Sequence, residues 1–150
     1  MIQRIQTLYL LAIVALGIAL IFLPVLQLVS PQEATELQIW KLTALGGAPL
    51  PGLWGLLIAT ILIPVLAFID IFLFKRRLLQ ARLNIFLAML CLGYYGVLAI
   101  YIWQAKLALG VDWHVLPYAS FPLICFVLTL MATRRILKDE ALVRAADRIR

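Results

Sequence analysis

Few side chains in this 150-residue chain are suited to chemistry, and they are scattered. Asp70 is the only ionisable residue deep in an apolar run, and an acid in such a place is a functional candidate by default. Its depth weakens the case, because at 1.5 Å per residue it lies about 7 Å from the basic stretch that opens at Lys75. An acid without His, Glu or Lys companions also makes a poor proton or ion relay. A structural contact is expected instead, with Arg4, which enters the first apolar run at a similar depth, or with Arg77. Arg4 and Asp70 are therefore the candidate ion pair.

The remaining candidates are weaker. His114 is the single histidine, and one imidazole beside Asp112 does not make a metal site. No Cys-x-x-Cys-His sequence is present to attach a haem. Cys91 and Cys125 both lie in apolar runs, where a thiol acts as a small hydrophobe, and they form no spaced pair that argues for a disulfide or zinc. Nucleophilic catalysis needs a hydroxyl or thiol with a base in reach, and Ser30 and Ser120 have none nearby in sequence. Gly46-Gly47 lacks the Lys-Ser or Lys-Thr of a phosphate loop. The expectation is a non-enzymatic protein without catalytic residues, metal or cofactor. Tyr94 and Tyr95, with Tyr101 and Trp103 following, could line a pocket for an apolar ligand such as a lipid or quinone. More often such rings serve packing and interface anchoring.

The elements that must position these residues are membrane spans. The chain is 65% hydrophobic and 13% charged, with mean hydropathy +1.07, where about 45–50% apolar is usual for soluble domains. Four apolar runs, at 8–26, 53–74, 84–103 and 118–132, are candidates to cross a bilayer as helices. The first is too long for a signal-peptide core and lacks a small-x-small cleavage site, so it is expected to stay attached. Ala15, Gly17 and Ala19 give it a small-residue face for close packing. Pro64 should kink the second run, with the Thr60 hydroxyl or a neighbouring helix satisfying the freed backbone. Gly93, Gly96 and the tyrosine pair give the third a mixed small and aromatic surface. Trp40, Trp54, Trp103 and Trp113 all map to one boundary, where amphipathic rings favour the headgroup layer. Loop 75–83 is short enough to force an antiparallel hairpin. Loop 27–52 is longer, and periodicity does not decide whether its middle, 37–45, is a short interfacial helix or extended.

After Arg135, Leu137, Ala141, Ala145 and Ile149 form an apolar stripe, with Glu140–Arg144 and Arg144–Asp147 as supporting pairs. This predicts an amphipathic helix that has left the bilayer for its surface or for a partner protein. The fold class is all-α: one polytopic membrane domain over 1–150, four transmembrane helices in an antiparallel bundle, and a short amphipathic C-terminal helix in the cytoplasmic tail, 134–150.

Charge sets the orientation. Of thirteen Lys and Arg residues, eleven (Arg4, Lys75, Arg76, Arg77, Arg82, Arg134, Arg135, Lys138, Arg144, Arg148 and Arg150) fall on one side of the four-span pattern. Short loops rich in Lys and Arg stay cytoplasmic, which places both termini in the cytoplasm. The net charge of +6 is then explained by attraction to anionic membrane lipids, and no nucleic-acid partner is expected.

Three polar blocks carry a resemblance. They are the opening Met1-Ile2-Gln3-Arg4-Ile5-Gln6-Thr7, the loop Lys75-Arg76-Arg77-Leu78-Leu79-Gln80-Ala81-Arg82-Leu83-Asn84, and the close from Lys138-Asp139-Glu140 through Leu142-Val143-Arg144 to Asp147-Arg148-Ile149-Arg150. In order and spacing they resemble a domain-of-unknown-function family of small four-span proteins of the bacterial inner membrane. The resemblance implies that architecture and location, and no activity. All three blocks face the cytoplasm, and their amides exceed what orientation requires. Gln3, Gln6, Gln80 and Asn84 can hydrogen-bond among the helix ends or to a partner. Gln3, Gln6, Arg76, Arg77, Gln80, Arg82, Arg144 and Arg148 are the candidates for contact with a partner or the membrane surface. The leading expectation is an accessory or assembly subunit that docks partner membrane-protein subunits through its cytoplasmic face. The alternative is a small protein that binds or transports a lipid, quinone or other apolar ligand.

Overall fold

The computed structural model of the chain describes residues 3–29, 34–38, 53–109 and 112–148. Four helices, α1 (Gln3–Phe22), α2 (Leu53–Phe72), α3 (Arg77–Leu109) and α4 (Phe121–Arg148), are each long and apolar enough to cross a membrane. Three short strands, β1 (Pro24–Val29), β2 (Ala34–Gln38) and β3 (Asp112–Val115), gather at one end.

The helices pack as a closed ring, α1 against α2, α2 against α3, α3 against α4 and α4 against α1. One core lies toward the strands and includes Leu20, Leu56, Tyr94, Leu98 and Tyr101. The other lies toward the opposite end and includes Leu10, Ile13, Ile63, Leu87, Cys91 and Cys125. Large apolar side chains such as Leu11, Phe68, Phe86, Met89 and Ile100 point outward. In water such a surface would be a liability, whereas lipid is as apolar as the side chains it meets.

Several boundaries differ from expectation, each for a local reason. The first helix ends at Phe22 rather than near residue 26. The Leu23 N–H closes back on the Ala19 carbonyl at 3.0 Å, and Pro24 has no N–H to continue the ladder. The apolar Val25 and Leu26 therefore enter β1 and are wholly buried, since hydropathy alone does not separate a buried strand from a helix end. Lys75 and Arg76 do not open a loop. Leu73–Lys75 is a 3-10 turn, Arg76 leaves helical geometry at φ −115° and ψ 73°, and α3 starts at the next residue. The helix α3 is 33 residues long, about 50 Å. The fourth span and the tail helix are one continuous element of 28 residues, because no Gly or Pro follows Pro122 to break it.

The all-α class describes the membrane part, and the strands add a small antiparallel sheet in the order β2-β1-β3. Gln27 of β1 stands opposite Glu36 of β2 and His114 of β3. The Leu116 N–H also donates to the Val25 carbonyl at 3.1 Å, so the segment leaving α1 is clamped to the one entering α4. Residues 37 and 38 are extended; the rest of the 37–45 question, with Trp40 and Lys41, lies outside the described residues.

Close packing of α1 on α2 rests on Gly17. A Cβ there would lie 2.9 Å from Pro64 Cδ and 3.0 Å from its Cβ. Helix α2 continues through Pro64, while the Thr60 hydroxyl donates to the Leu56 carbonyl at 2.8 Å and not to the group the proline frees. Gly93 and Gly96 have nothing within 4 Å of such a Cβ, so they are not packing positions among the described residues.

Candidate functional site

The polar residues gather where all four helix ends meet, opposite the sheet. Asp70, two residues before the end of α2, is wholly buried. Gln80 and Asn84 stand four apart on α3 and so share a face. Asn84 Nδ2 donates to Asp70 Oδ2 at 2.6 Å, and Gln80 Nε2 donates to the Asp70 backbone carbonyl at 3.1 Å. Across the bundle, Gln6 Nε2 of α1 donates to Asp139 Oδ2 of α4 at 2.5 Å, and an Arg77 N–H reaches the Asp139 backbone carbonyl at 3.4 Å. These contacts join α2 to α3, α1 to α4 and α3 to α4. A cavity of about 300 Å³ remains between them, lined by Gln6, Ile71, Arg77, Gln80 and Asp139 among others.

The described partner of Asp70 is an amide, and Arg77 turns to Asp139 instead. Arg4 lies in α1, with its side chain outside the described residues, as do those of Gln3, Arg144 and Arg148. Gln6 and Gln80 are 8% and 4% exposed, so they are not free for a partner. Buried amides are costly unless hydrogen-bonded, and the helix ends satisfy them internally. Arg76 and Arg82 remain exposed. Asp139 had not been singled out as a site residue. Its sequence signal is an acid four residues after Arg135 and next to Glu140, which says nothing of a glutamine 133 residues away.

The tyrosine pair is divided by the fold. Tyr94 is buried in the core. Tyr95, in edge contact with Tyr94 at 5.8 Å, donates its hydroxyl to the Ala119 carbonyl at 2.8 Å and accepts the Leu123 N–H at 3.0 Å. That N–H belongs to the first turn of α4, where helix donors lack internal partners. Tyr95 thus acts as a cap delivered from another helix. Beside it opens an apolar crevice of about 640 Å³ reaching Leu98, Val115, Leu116 and Leu123.

His114 is exposed on β3. Cys91 and Cys125 are buried free thiols. Among the described residues no three His, Cys, Asp or Glu side chains cluster as metal ligands would.

A closed ring of four membrane-length helices with a polar knot at one end and a small sheet at the other defines a small polytopic membrane protein. The chain belongs to the family described as domain of unknown function DUF4293, whose pattern matches residues 2–149. No curated protein and no solved structure matches it.

Proposed function

We propose that the protein is a non-enzymatic accessory or assembly subunit of a larger complex in the bacterial inner membrane. In this reading both termini are cytoplasmic, and partner subunits are met by the arginine-rich end. One observation carries it. Gln6, Gln80 and Asn84 of that end are turned inward, whereas Arg76, Arg82, Arg134, Arg135 and Lys138 are all exposed. What the end presents to another protein is a rim of fixed positive charge, which steers encounter and sets register.

Purification from native membranes in mild detergent tests this. A stoichiometric protein should accompany the chain and be lost when Arg144 and Arg148 are both changed to Glu. A chain that purifies alone from native membranes sinks the subunit reading.

A second reading, a carrier or binder of an apolar ligand, is favoured by the crevice beside Tyr95. It predicts a defined lipid or quinone retained by the pure, monodisperse protein and released by Tyr95→Ala. Retention by that variant counts against the crevice.

A further inference from the structure

A second cavity, of about 630 Å³, opens at the arginine-rich end between the start of α3 and the end of α4. Its lining includes Arg76, Arg77, Arg82, Leu78, Leu79 and Glu140. Three guanidiniums against one carboxylate leave two positive charges around one concavity. The Arg77 side chain is held in place by its bond to the Asp139 carbonyl. Arginine forks match the oxygens of a phosphate group geometrically. Helix α3 also begins at Arg77 with no acid in its first turn, so the partial positive charge of its end adds to the field.

The walls and the depth identify the source of the phosphate. Leu78, Leu79 and Val143 line the same cavity and are 47%, 45% and 42% exposed, an apolar margin that a free anion would not use. By length and composition the candidate membrane-crossing stretch of α3 opens at Arg77, and on α4 the exposed Arg134 and Arg135 mark the same end of the bundle. The cavity lies beside these basic residues, at the end of the apolar stretches where headgroups are met. Basic pockets between helices at that level suit anionic lipid headgroups.

We infer that this cavity binds the phosphodiester headgroup of an anionic membrane lipid, with Arg76, Arg77 and Arg82 on the phosphate and Leu78, Leu79 and Val143 against the acyl chains. It is separate from the Tyr95 crevice and does not depend on any protein partner.

Native mass spectrometry of the full chain in neutral detergent tests the site, with cardiolipin, phosphatidylglycerol, phosphatidylcholine or inorganic phosphate added in turn. One anionic lipid per chain should bind in preference to phosphatidylcholine. Arg76→Gln with Arg82→Gln should weaken it by about tenfold for each guanidinium removed, the scale of a charge-assisted hydrogen bond. Arg134→Gln with Arg135→Gln, the same charge change on exposed residues outside the cavity, should leave the adduct nearly intact. Equal loss in both double variants would overturn the site in favour of diffuse attraction. Displacement of the lipid by inorganic phosphate at equal concentration would assign the cavity to a free anion and overturn the lipid. Should the Arg76/Arg82 variant unfold, Arg82→Lys alone serves: it keeps the charge, loses the fork, and should weaken the lipid while sparing thermal stability.

Discussion

Asp70 has one carboxylate oxygen bonded to Asn84 and the other without a hydrogen-bond partner among the described residues. Hydrogen bonds between membrane helices contribute about 0.6 kcal/mol on average and up to about 1.7. The Asp70–Asn84 bond belongs at the upper end, because losing it takes from a buried acid its described side-chain partner. Asn84→Ala should therefore lower stability in detergent by about 1–2 kcal/mol, and Gln80→Ala by less, about the 0.6 kcal/mol average, since its acceptor is a backbone carbonyl. Asp70→Ala with Asn84→Ala should cost less than the sum of the single changes. Strict additivity in thermal unfolding would show that the pair does not interact. The spacing of Gln80 and Asn84 was readable in the chain, but their partner was not, because Asp70 lies on the far side of a turn whose geometry charge pattern does not set.

At the scale of elements, α1 lies tight against α2 where Gly17 meets Pro64. The Pro64 ring is rigid, so a methyl at position 17 is accommodated only by moving a helix. Overpacking of this kind costs about 1–3 kcal/mol. Gly17→Ala should lower the unfolding temperature in detergent, and adding Pro64→Ala, which removes the Cδ at nearest approach, should recover part of the loss. Unchanged stability in Gly17→Ala would mean that the helices lie farther apart. The small-residue face of the first span and the proline of the second were each visible in the sequence. That one fits the other needed the rotation of both helices about their axes. Apolar side chains surround both helices, so no amphipathic stripe reports that rotation.

For the whole molecule, the polar knot and the sheet occupy opposite ends, and the proposed orientation puts the knot in the cytoplasm. A membrane-impermeant thiol reagent should label His114→Cys in intact cells and Lys138→Cys only after permeabilisation. Both native residues are exposed, while Cys91 and Cys125 are buried and give little background. The reverse pattern would invert the orientation. The sheet has a mechanical consequence as well. By pairing β1 with β3 it ties the exit of α1 to the entry of α4, which closes the ring of helices at the end where the polar knot is absent.

Length and hydropathy were enough for four membrane-crossing helices, because a bilayer demands about 20 apolar residues per crossing and leaves few other structures. The polar blocks were enough to mark one end as special. Which amide meets which acid, why Tyr95 caps a helix begun 26 residues later, and how Val25 and Leu26 leave a helix for a strand were decided only by the tertiary structure. The reason is physical. In a chain this apolar, burial is not encoded by contrast between greasy and polar faces, and the choice of what points inward falls to shape and to a few hydrogen bonds between residues far apart in sequence.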